Sequence, residues 1–185
     1  MSVLTYPTCP TDCLGSLPDP VFSECAPTIG YGEIEFIYLA KADSDDLTNV
    51  EDLAEWTTKL ALDAAQDNAI RKLTVLADLP EPEISEIKIS GNRTVYGYKK
   101  FTVPFEVDED NDDNFEMLLN FECAMKYKIW LETADGMLFG GNEGIEATIN
   151  ANYVIPRPRT EVRKIMGTAK WEATHTPLRC VSPMA

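Results

Sequence analysis

The stretch that decides the fold runs from Ile84 to Val107, ISEIKISGNRTVYGYKKFTVPFEV. It reads as two strands, Ile84–Ser90 and Thr94–Val107, joined at Ser90-Gly91-Asn92-Arg93. Gly91 and Asn92 tolerate the positive φ that tight hairpin turns require. Beyond it an acidic run leads into a helix, where Asp113 is the expected N-cap and Glu116 completes a capping box. Phe115, Leu118 and Leu119 supply its apolar face.

Working outward, Glu33–Ala40 is rich in β-branched and aromatic residues and reads as a strand. After the acidic loop Asp43–Asp46, Thr48 and Glu51 predict a second capping box. Leu53, Trp56 and Leu60 follow at helical spacing, and this helix is expected to end near Asp63. Ile70–Ala77 is a further strand, stopped by Pro80 and Pro82. Lys126–Ala134 alternates as a strand does, and Asp135-Gly136 turns the chain into Met137–Phe139. Gly144–Ile155 and Lys164–Ala173 complete the set.

Residues 1–30 hold Pro7, Pro10, Pro18, Pro20 and Pro27, which excludes a helix or a central strand and predicts an extended arm. The organisation read is therefore an arm at 1–30, a β-rich domain at 31–175 and a C-terminal tail at 176–185. The fold class is mainly β with two short helices, an α+β chain arranged as a β-sandwich or rolled barrel. A doubly wound sheet would need many more helices.

The chain has 185 residues, 44% of them hydrophobic, enough for one medium domain with a real core. No segment approaches the ~20 apolar residues that span a membrane, and no secretory signal is visible at the start. The expectation is a protein made and kept in a cytosol. A net charge of −15 argues against an electrostatic grip on nucleic acid. The charge is uneven. Residues 1–40 have acidic Asp12, Asp19, Glu24, Glu33 and Glu35 and no Lys or Arg, whereas Arg157, Arg159, Arg163, Lys164, Lys170 and Arg179 gather after Pro156 against only Glu161 and Glu172. An acidic head and a basic tail can pair across copies or remain two solvated surfaces, since exposed ion pairs contribute only ~0–1 kcal/mol each.

No constellation is assigned to catalysis, to a cofactor or to a metal. His175 is the only histidine. A pairing with Cys180 or Ser182 would have to form within a Pro-containing tail read as solvent-facing. Cys9, Cys13 and Cys25, completed by Cys180 or His175, have the donors for tetrahedral zinc, yet the second short pair of a zinc ribbon is missing. Cys123 lies in an apolar stretch and is expected to be buried. The acidic run Glu106–Asn114 alternates Asp108, Asp110 and Asp112 like a calcium loop. Asp113 stands where that loop needs Gly, and Leu119 where it needs Glu, so an EF-hand is excluded. Gly140, Gly141 and Gly144 lack the Lys-Ser/Thr of a phosphate loop and read as a connection. Asn92-Arg93-Thr94 is read as a turn, and Trp56, Trp130 and Trp171 as core.

The hairpin Ile84–Val107, the helix Asp113–Cys123 and the segment Lys126–Ile155 follow one another in an order that resembles tail-tube structural proteins of tailed bacteriophages. The arm, Gly-Glu-Ile-Glu-Phe-Ile at 32–37, Phe-Gly-Gly-Asn-Glu-Gly at 139–144 and the closing Ser182-Pro183 look like virion proteins of crAss-like phages. The resemblance implies a tail-tube-type barrel and a non-enzymatic subunit that forms a ring in tail or neck. It implies contacts with itself and with portal, neck or tail subunits, DNA passing through a lumen, no membrane, and residence in a virion assembled in the host cytoplasm. A capsid-decorating or host-surface-binding module is the alternative.

Overall fold

The computed structural model describes residues 30, 32–63, 65–90, 93–123, 126–157 and 160–185. All but Gly30 of the expected arm lies outside them, as does the Gly91-Asn92 turn. Nine strands and two helices follow in the order β1 (Ile34–Lys41), α1 (Leu53–Leu60), β2 (Ile70–Ala77), β3 (Glu83–Ile89), β4 (Arg93–Val107), α2 (Asp112–Phe121), β5 (Lys126–Thr133), β6 (Met137–Phe139), β7 (Ile145–Val154), β8 (Lys164–Ala173) and β9 (Arg179–Val181).

Six of the strands pair antiparallel in the order β1-β2-β4-β8-β7-β5, and β5 returns to β1, from Ile34↔Thr133 to Lys41↔Tyr127. Of the two arrangements open to the sequence, the chain adopts the closed barrel. Closure gives each of these six strands a neighbour on both sides, although the β2–β4 ladder is only Leu76↔Glu106 and Ala77↔Phe105. β3 extends the sheet from β4, while β6 and β9 continue it from the second half of β5.

Alternation sorts the side chains. From β4, Phe101, Val103, Phe105 and Val107 point into the barrel, joined from β7 by Ile145, Ala147, Ile149 and Ala151. The intervening positions, such as Lys100 and Glu146, face water. β1 and β5 break this pattern because both their faces are covered. Ile37 and Leu39 belong to the barrel interior, whereas Tyr38 and Ala40 belong to a second core outside the wall. That outer core also holds Trp56 of α1, Trp130 of β5, Leu138 of β6 and Cys180 of β9. The unbroken apolar run in Ile-Glu-Phe-Ile-Tyr-Leu-Ala is the sequence trace of this two-sided burial.

α2 closes one mouth of the barrel with Leu118 and Phe121. Its N-cap is Asn111, not the expected Asp113: the Asn111 side chain accepts from Asn114 N at 2.8 Å. α1 is likewise capped by Asp52 instead of Thr48, and it ends at Leu60 instead of Asp63. Glu55 reaches back to the backbone N–H groups of Thr48 and Asn49, so the residues read as a cap form the loop that precedes it. In both helices several Asx or Thr residues compete for the cap. The tail is not solvent-facing either. β9 pairs with β6, and Pro177, Cys180 and Ser182 are buried.

One cross-strand pair leaves no room for a side chain at one position of β8. Phe105 sits opposite Gly167, and a Cβ built on Gly167 would meet the phenyl ring at 2.3 Å. The ring therefore lies flat over a position that only glycine leaves open. Gly167→Ala should destabilise the protein by about 1–3 kcal/mol, the usual cost of overpacking a filled core. Urea unfolding measures this, and an unchanged midpoint would contradict the packing described.

Candidate functional site

The described residues singled out for chemistry each have contacts of their own. Cys180 lies in the outer core with its Sγ 3.8 Å from the Leu138 carbonyl. Burial, and secondarily the charge of Glu51, pushes its thiol up to about 11. At neutral pH it is a protonated thiol, the unreactive form. The buried Ser182 hydroxyl accepts from Met184 N at 3.2 Å, and His175 Nδ1 is 3.3 Å from the Thr174 hydroxyl. None of these contacts joins the three into a nucleophile–base pair.

Cys9, Cys13 and Cys25 lie outside the described residues. Among the described residues no cluster of three or more His, Cys, Asp or Glu side chains has metal-binding proximity. Cys123, expected in the core, is exposed. It follows the end of α2, where Phe121 takes the inward position and Cys123 turns back toward Leu119 O. The acidic run is engaged in structure. Asp110 accepts from the Tyr153 hydroxyl at 2.7 Å and pairs with Arg163 at 2.6 Å, while Glu106 holds Lys164 at 2.6 Å. Part of the basic C-terminal segment is thus neutralised within the chain.

The glycine loop has a structural task. Gly140, Gly141 and Gly144 all take positive φ. Trp130 Nε1 donates to Gly141 O at 2.8 Å, and Cβ atoms at Gly140 or Gly144 would strike the indole at 2.5 and 2.8 Å. Asn142 then accepts from Val50 N and, through its carbonyl, from Leu47 N. The loop thereby clamps the segment before α1, where Trp56 Nε1 donates to Val50 O and packs edge-on against both Tyr38 and Trp130. Beside them Tyr38 donates to the buried Glu132 at 2.5 Å. Burial first, and then this bond, raises the phenol's pKa, so it remains a donor.

The surface that stands out is the β3–β4 ribbon. β8 accompanies β4 only as far as Lys99↔Ala173, whereas β3 stays paired out to Ile89↔Arg93. Six residues of β4 beyond Lys99 thus project with one partner strand, a reach of about 20 Å at strand rise. Ile84, Ile87 and Ile89 are 48%, 54% and 41% exposed, and Tyr96 and Tyr98 are 70% and 59% exposed. Cross-strand pairing puts Ile87 on the face that continues the barrel interior and the two tyrosines on the opposite one. Gly97 lets the strands close: a Cβ there would fall 2.5 Å from Ser85 Oγ, which donates to Tyr98 O at 2.9 Å. The sequence marked this hairpin but carried no sign that neither face would be covered by the other described residues.

Among the described residues no helix is long and apolar enough to cross a membrane. Compared with protein-family models, curated proteins and solved structures, the chain matches none.

The two described cysteines make a direct check on this geometry. Brief alkylation of the native protein at pH 8, read by peptide mass mapping, should modify exposed Cys123 and spare Cys180 by at least tenfold, in line with the burial and raised pKa of Cys180. Equal labelling would show that the outer core is open.

Proposed function

We propose that this chain is a structural subunit of a tailed-bacteriophage virion, of tail-tube or neck-ring type, which forms a homo-oligomeric ring through which DNA passes. On this reading it is made in the host cytoplasm, enters the particle, and works through contacts with itself and with neighbouring portal, neck or tail subunits, without catalysis.

The observation that supports the reading is the ribbon. A lone two-stranded hairpin is marginally stable in water, and this one sets large apolar side chains on both faces. Exposed clusters of that kind mark interaction surfaces. β3 also offers an outer edge with no strand on it among the described residues, which suits pairing with another chain. A contact in which the ribbon of one copy meets a different surface of the next is heterologous, and it closes into a ring where the rotation allows. The net charge of −15 fits a lumen that does not hold the genome. The barrel, the long hairpin and the helix that plugs one mouth are compatible with the tail-tube arrangement that the element order resembles.

The test is a double substitution on the ribbon, Ile87→Glu with Tyr96→Ser. Both side chains are exposed, so the unfolding free energy should move by no more than about 0.5 kcal/mol. Sedimentation velocity should show rings for the native chain and monomers for the variant. Equal assembly by the two, or a native chain that is monomeric at every concentration, would overturn the proposal.

A further inference from the structure

The barrel wall opens where β7 and β8 part. β7 and β8 pair from Val154↔Lys164 down to Thr148↔Lys170, and there the ladder stops. β8 continues to Ala173, bonded to β4 alone, and β7 begins at Ile145, bonded to β5 alone. Continued pairing would have matched residues 147, 146 and 145 with 171, 172 and 173. These two short edges instead border a cleft of about 810 Å³. Residues of both surfaces line it: Trp171 and Ile145 from the barrel interior, Lys170 and Thr148 from outside.

Two features of the cleft lack a partner. Trp171 is 7% exposed, stacked on Phe101 with centroids 4.9 Å apart, and its indole N–H has no acceptor among the described residues. A buried donor in that condition costs about 1–3 kcal/mol until an acceptor arrives. On the rim, Lys126 pairs with Glu146 and Lys100 with Glu172, while Lys170 makes no ion pair among the described residues. Strand edges, an orphan N–H and a spare cation are together the requirements of an extended peptide with a carbonyl and a carboxylate to offer.

We propose that the seam receives residues Val21–Ala26 of a neighbouring copy, added as a strand between β7 and β8. This rests on the ring reading above, and it adds to the ribbon a second element that joins adjacent subunits. Residues 1–29 lie outside the described residues and include no Lys or Arg, so the leader complements the spare cation. A donated strand needs its backbone N–H groups, which prolines lack. Between Pro20 and Pro27, Val21-Phe22-Ser23-Glu24-Cys25-Ala26 is free of proline and opens with two good strand formers. Alternation places small Val21, Ser23 and Cys25 toward the already filled interior and turns Glu24 outward toward Lys170.

The experiment mixes two full-length chains, one carrying p-benzoylphenylalanine in place of Phe22 and the other uniformly labelled with ¹⁵N. After irradiation, cross-linked peptides are read by mass spectrometry, and ring content is measured on the same sample by sedimentation. The expected result is cross-links from position 22 of one chain to Ile145–Thr148 or Lys170–Ala173 of the other. Ser23→Pro should abolish them. Trp171→Phe, which keeps the ring stack but removes the donor, should lower their yield about tenfold. Links confined to a single chain, or no links to either strand, overturn the exchange. If rings persist while those links are missing, this inference fails and the ring reading survives; monomers throughout defeat the ring reading itself.

Discussion

The ladder between β1 and β5 is the constraint on which the rest of the structure depends. It joins strands that lie about ninety residues apart in the chain, and by joining them it turns an open sheet into a barrel. Loop-closure entropy opposes so distant a pairing, and burial on both faces of the two strands offsets it. Inside, Ile37 and Leu39 meet Ile129 and Leu131; outside, Tyr38 and Trp130 meet Trp56. A single apolar face would have left the outer wall wet and α1 without a seat.

The same closure explains the glycine loop and the C-terminal strand. Trp130 projects from the outer face of β5, so something must cover it. The turn at Gly140–Gly144 wraps the indole and accepts its N–H, and β9 brings Cys180 and its neighbours against the same core. Features that resemble functional motifs in the sequence are thus engaged in packing. The glycines make room, Asn142 ties two loops, and the buried thiol fills space.

Much of the fold was legible because strand patterns are local. Ile70–Ala77, Met137–Phe139 and Lys164–Ala173 have the bounds read from the sequence, and most other strands differ by a residue or two. What was not legible depended on distant partners. Nothing local in Arg179-Cys180-Val181 announces a strand, which exists only because β6 offers it an edge. Cap choice failed where several polar residues compete within one turn. Cys123 was misplaced because an apolar neighbourhood does not say which side chain of a helix end turns inward. The exposure of Ile87 and Tyr96 was equally hidden, since an apolar strand looks the same whether a neighbour covers it inside the chain or outside it.

That last ambiguity is also the functional one. A ribbon with isoleucines on one face and tyrosines on the other is costly to leave in water, and the described residues leave it there. The account holds that another copy covers it. Electron cryomicroscopy of the concentrated full-length protein tests this most directly. The account predicts closed rings in which density from an adjacent subunit lies against Ile84–Tyr98. Single barrels with the ribbon standing free in solvent would contradict it.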